Sequence, residues 1–110
     1  MPENYDGLSL RWARHLVGAQ AAWPSARSAA DDLELHELTD AFAVPVGAVI
    51  FFDHGVWADV GIAVGERLVL RRKHGVVTVE ALIPKWVLGW ISGEDFRAAA
   101  RERREDSQHA

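Results

Sequence analysis

From Val49 to Ile91 the chain is cut into short apolar runs by glycine-bearing turns, and this punctuation limits the fold more than any other feature. Val49-Ile50-Phe51-Phe52 has strand length and is followed by a turn at Asp53-His54-Gly55. Asp59 to Val64 and Arg67 to Arg71 flank Gly65-Glu66, the composition of a two-residue hairpin turn. Lys73-His74-Gly75 makes the next turn, Val76 to Glu80 is a β-branched strand, and Trp86 to Ile91 is the last. Strands joined by so few residues can pair only antiparallel. This half of the chain is therefore predicted to be an antiparallel sheet.

Helical patterns lie on either side of it. Asp6 is a candidate N-cap for a helix running to about Val17, with Leu8, Trp12 and Leu16 on one buried face and Gly18 as its end. Trp23-Pro24-Ser25-Ala26 opens a second helix, capped by Ser25, with Ala26, Ala29, Ala30 and Leu33 on its inner side. The acidic stretch Asp31 to Asp40 is a short helix or a loop. Asp95 to about Arg104 reads as a charged helix with Phe96 and several alanines, followed by a frayed tail. Helices first and an antiparallel sheet after give an α+β domain. At 110 residues the chain is one domain, with a core over about 7–91 and a C-terminal helix and tail over 93–110.

Composition removes several function classes. There is no cysteine, hence no disulfide, no thiolate metal site and no cysteine nucleophile. The net charge of −4 gives nucleic acid no attraction. No apolar run reaches the length of a membrane span, and the opening Met1-Pro2-Glu3-Asn4-Tyr5-Asp6 lacks the basic and apolar regions of a signal peptide. A cytoplasmic protein without a cofactor is the expectation.

Two blocks carry candidate chemistry. Gly7-Leu8-Ser9-Leu10-Arg11-Trp12-Ala13-Arg14 resembles the helix of the NlpC-like and CHAP-like cysteine peptidases, small papain-fold enzymes that cut peptidoglycan. Trp57-Ala58-Asp59-Val60-Gly61-Ile62-Ala63-Val64-Gly65 resembles that family's second block. Pro45-Val46-Gly47-Ala48 before the first strand and Leu88-Gly89-Trp90 near the end are also similar to it. The resemblance implies a papain-like fold with Ser9 at the position of the family's cysteine, at the head of the helix. Asp59 stands at the position of its histidine. The family's third residue belongs on the strand Arg67 to Arg72, which holds no His, Asn, Gln or Asp.

The chemistry of those positions explains why the replacements matter. A cysteine attacks as thiolate, helped by a helix N-terminus and a histidine that takes its proton. A serine hydroxyl needs a base in hydrogen-bond reach, and a carboxylate is a far weaker base than an imidazole near neutral pH. The resemblance thus implies a pseudoenzyme, a degenerate cysteine peptidase that binds another protein. A phage or mobile-element accessory protein that inhibits or redirects a host factor fits this reading. The alternative is a peptidoglycan hydrolase or wall-peptide-binding remnant using Ser9. A homo-oligomer paired through strand edges or the C-terminal helix is a third.

Plainer readings stand beside these. Serine is favoured at helix starts on its own account. Asp59 either hydrogen-bonds Ser9 or the helix start, or faces solvent at a sheet edge. Trp57 lies at the rim of the ancestral cleft or, more plainly, in the core. Asp53 and His54 belong to a solvated turn, and the five histidines show no metal-binding spacing, so no metal is expected. Arg71-Arg72-Lys73 and the group Arg97, Arg101, Arg103, Arg104 read as solvated or partner-facing charge.

Overall fold

Strand β1 (Val49–Phe52) is buried on both faces, and the other elements are arranged around it. The structure, a computed structural model, describes residues 2–109, with side chains described from 9 to 106. Helices α1 (Pro2–Val17) and α2 (Ala26–Asp32) precede β1. β2 (Asp59–Gly65), β3 (Leu68–Lys73), β4 (Val76–Ala81) and β5 (Val87–Ile91) follow, and α3 (Gly93–His109) closes the chain. The five strands form one antiparallel sheet in the order β4-β3-β2-β1-β5. The architecture is α+β, with an antiparallel sheet and three helices, as the alternation of patterns predicts.

Alternation along β1 divides the core in two. Val49 and Phe51 meet the helices through Leu10, Ala13, Trp23, Ala26 and Phe96. Ile50 and Phe52 point the other way, under the connection that carries Leu38 and Val44, and beside Val69 and Leu82. Four consecutive apolar residues are what a strand covered on both sides requires.

Both tight hairpins use left-handed pairs. His74 and Gly75 have φ of 53° and 80° between β3 and β4. Between β2 and β3 the turn falls on Glu66 and Arg67, at 53° and 61°, one residue later than the expected Gly65-Glu66. The shift comes from an irregularity between Ala63 and Gly65 that pairs Gly65 with Leu68. Two consecutive left-handed residues match the right-handed twist of the flanking strands.

The helices depart from expectation in three ways. α1 begins at Pro2 and not at an Asp6 cap. Its buried stripe is Leu10 and Ala13, flanked by Trp12 and Val17, while Leu16 faces solvent and the Leu8 side chain lies outside the described residues. A polar tether at Ser9, described below, fixes this rotation. α3 begins after Ser92, whose hydroxyl accepts from the Asp95 N–H at 3.1 Å, and it runs to His109 without fraying at Arg104. Phe96 and Ala100 on α3 are fully buried, so the core does not stop at residue 91. The Gly18 stop and the Ser25 cap are found as expected. Ala19 N–H bonds the Arg14 carbonyl around a left-handed Gly18, and Ser25 forms a reciprocal capping box with Ser28.

The β5 edge is covered. His36 exchanges two backbone hydrogen bonds with Trp90, at 2.8 and 2.9 Å, and the two rings pack 4.5 Å apart. Gly89 makes this approach possible. Its φ is +155°, and a Cβ there would lie 2.6 Å from Leu35 Cβ and 2.9 Å from the His36 carbonyl oxygen. Gly89→Ala should therefore lower unfolding stability by about 1–3 kcal/mol through overpacking. Urea denaturation should show the loss as a lower midpoint with an unchanged slope.

Candidate functional site

Asp59 opens β2 directly below α1, and its carboxylate is shared between two layers. Ser9 on α1 donates its hydroxyl hydrogen to Asp59 Oδ1. Arg71 on β3 donates from Nη2 to Asp59 Oδ2 at 2.6 Å. The Val60 N–H is divided between Asp59 Oδ1 at 2.9 Å and Ser9 Oγ at 3.3 Å. Each carboxylate oxygen is thus engaged, and the Ser9 hydroxyl both donates and accepts. The Asp59 and Arg71 side chains are only 14% and 13% exposed.

The sheet supplies the geometry. Arg71 pairs with Gly61 across β2 and β3, and Asp59 is two residues from Gly61 on the same face. A Cβ at Gly61 would lie 2.7 Å from Val69 Cγ2 and 3.1 Å from Arg71 Cγ, so only glycine lets the arginine stem cross β2 toward Asp59. The guanidinium lies 3.9 Å from the Phe52 ring centre, a cation–π contact. Phe52 is the β1 partner of Asp59, which places all three side chains together. Arg71 Nε is buried without a hydrogen-bond partner among the described residues.

On the far side of Arg71, Glu80 collects Thr78 at 2.8 Å and Lys73 at 3.1 Å, with Arg71 Nη1 at 4.0 Å. The Thr78 hydrogen bond, helped by Lys73 and Arg71 and opposed by burial, holds the Glu80 carboxyl below its ordinary value. A depressed carboxyl adds stability above its unfolded pKa and loses it as pH falls through the folded value. Glu80→Gln should therefore be less stable than the parent near neutral pH. That difference should vanish in denaturation below the ordinary carboxylate range.

Ser9 and Asp59 are brought together as the sequence blocks suggest, which removes the solvent-facing alternative for Asp59. Ser9 does not head its helix. It lies seven residues beyond Pro2, so the peptide N–H groups around it are spent within the helix and form no oxyanion hole. On the strand Arg67 to Arg72, Arg71 is the residue that reaches the second oxygen of Asp59. Reading Arg71 as solvated or partner-facing charge is corrected by its burial. The signal available in sequence was Gly61 itself, a glycine in mid-strand marking close approach.

Trp57 is 44% exposed, which overturns its expected core position. It sits two residues before Asp59, and its carbonyl accepts from Arg27 N–H at 2.7 Å. Asp53 and His54 lie in an exposed turn, with Asp53 paired to Arg27 at 2.7 Å. The arginines of α3 are exposed, as expected, and three of them also make tertiary hydrogen bonds. Arg97, Arg103 and Arg104 donate to the carbonyls of Val17, Ala22 and Ala21, each at 2.9 Å, and so stitch α3 to the end of α1 and the connection that follows it.

Two concave features remain. A cavity of about 310 Å³ opens beside Arg71, between Phe52, His54, Glu80 and Trp86. A groove of about 1030 Å³ runs between α3 and the chain after α2. Its floor includes Trp23, Leu33, Leu35 and Ile91. Its walls carry Asp32, Glu34, Asp95, Glu102 and Asp106 against the single Arg103. Five carboxylates and one guanidinium leave −4 there, equal to the formal charge of the whole chain. These carboxylates do not converge, and no group of three metal-ligating side chains occurs among the described residues.

No protein-family model, curated protein or solved structure matches this chain.

Arg71 and Asp59 should behave as one unit. Asp59→Ala strands a buried guanidinium and should cost about 3 kcal/mol. Asp59→Ala combined with Arg71→Leu should cost markedly less than the two single losses added together. A double-mutant cycle in urea measures the coupling.

Proposed function

We propose that this chain is a papain-like domain of the NlpC type that no longer cleaves peptides and instead binds another protein. The observation that carries the proposal is the closed Ser9–Asp59–Arg71 network. A nucleophile needs a base free to take its proton, and the base in reach here is already committed to a guanidinium and a backbone N–H. The hydroxyl also accepts from Val60, so its second function is structural. What was a reactive pair in the resembling family becomes a tether between α1 and the sheet.

The acidic groove supports the binding half of the proposal. Its apolar floor offers burial, and its walls carry five carboxylates against one guanidinium. A partner presenting a basic surface around an apolar anchor complements both. Among the described residues no helix is long and apolar enough to cross a membrane. A cytoplasmic accessory protein of a phage or mobile element, acting on a host factor, is the setting proposed.

Purified protein incubated with peptidoglycan fragments should release no new amine ends, and Ser9→Ala should leave that result unchanged. Release that disappears in Ser9→Ala would establish the hydrolase alternative. For binding, Glu102→Lys with Asp106→Lys should reduce retention of a host partner in a pull-down by ten-fold or more, whereas Trp57→Ala should not. Loss with Trp57→Ala alone would move the binding surface to the rim beside Asp59.

A further inference from the structure

The two edges of the sheet are treated differently. β5 is covered by the His36 bridge, whereas β4 is last in the strand order and among the described residues pairs only with β3. The β3–β4 register shows which groups are left over. Leu82 N–H bonds the Arg67 carbonyl at 2.6 Å, which marks 67 and 82 as a hydrogen-bonded pair. In an antiparallel ladder such pairs recur every second residue. Thr78 with Arg71 and Val76 with Lys73 are therefore bonded inward. The N–H and C=O groups of Val77, Val79 and Ala81 point outward from the free edge.

The edge lacks the features that usually block pairing. The segment Val76-Val77-Thr78-Val79-Glu80-Ala81 contains no proline, and its ladder with β3 is unbroken. Its one charged side chain, Glu80, is held by Thr78 and Lys73 of the same chain. Val77 and Val79 lie exposed on the helix-side face, next to exposed Leu68 and Val64, where the helical layer does not reach.

We propose that β4 pairs with β4 of a second copy of this chain, antiparallel about a two-fold axis through Val79. The occupant follows from the edge itself. The two-fold register centred on Val79 pairs Val79 with Val79 and Val77 with Ala81, so every outward group is used. A two-fold axis normal to the sheet keeps equivalent faces on the same side, so the apolar side chains of both copies form one strip. On the other face, Glu80 falls opposite the partner's Thr78 and not opposite a second carboxylate, so no like charges meet directly. The inference is independent of the papain-like reading and uses neither Ser9 nor the acidic groove.

The chain has no cysteine, which makes engineered cysteines diagnostic. A bonded antiparallel pair sets its Cα atoms about 5.5 Å apart, within the disulfide range. Val79→Cys should form a covalent dimer under mild oxidation. Val77→Cys should not cross-link to itself but should cross-link when mixed with Ala81→Cys. Val79→Lys places two like charges opposite each other at a 58% exposed position. It should run as a monomer in light scattering while keeping the parent's circular dichroism. A parent chain that is monomeric at the highest soluble concentration would overturn the proposal. So would Val77→Cys self-linking as readily as Val79→Cys, or a dimer undiminished in Val79→Lys.

Discussion

The Asp59 carboxylate holds the helical layer and the sheet in register. One oxygen takes the Ser9 hydroxyl from α1, and the other takes Arg71 from β3. Arg71 in turn lies on Phe52 of β1. Residues fifty positions apart in sequence are thereby fixed, and the rotation of α1 follows from that bond as much as from its apolar stripe. A buried ion pair of this kind is weak evidence for added stability, because desolvating both groups offsets much of the attraction. Its contribution is geometric: it sets where α1 sits over the sheet, and it commits the carboxylate that accepts the Ser9 proton to a guanidinium and a backbone N–H as well.

Much of the sheet was legible because its signals are local. Val49–Phe52 is apolar throughout because both faces are covered, and the His74-Gly75 turn is fixed by two residues. The Ser25 cap and the Gly18 stop are local too. What was not legible depended on partners far away in the chain. Leu16 matched a helical stripe as well as Val17 does, and the tether at Ser9 together with the burial of Leu10 and Ala13 turns Val17 inward. Arg71 sits in a basic triplet, and nothing nearby in sequence tells that Asp59 waits across β2. Trp57 looks like core by composition, but its position after the Gly55 turn leaves it at the surface. The proximity of Ser9 and Asp59 was anticipated through the two blocks, whereas the closure of the site by Arg71 was not.

The α3 arginines illustrate the same point. By pattern they are surface charge, since Arg97, Arg103 and Arg104 stand among acidic neighbours. In the fold each ends on a main-chain carbonyl, Arg97 on that of the last residue of α1 and the other two on the α1–α2 connection. Those carbonyls have no ladder to join, and a guanidinium supplies donors whose charge does not depend on pH. Arg103 also stays in the groove, where it pairs with Asp32 at 3.3 Å. Glu34, Asp95, Glu102 and Asp106 supply the rest of the acidic lining.

The position of Phe96 and Ala100 has a consequence for how the chain acquires its fold during synthesis. Both are sealed in the helix-side core, Phe96 against Trp23 and Phe51 with ring centres 5.5 and 6.4 Å away. The β2–β3–β4 meander joins neighbours in sequence and can form as soon as it leaves the ribosome. The core over β1 is complete only when α3 docks, because among the described residues no other element fills that space. Until then Phe51 and Trp23 stay open to water. A chain in which α3 has not yet docked would therefore hold a formed sheet beside an unfinished core, and the docking of α3 becomes the step that closes it.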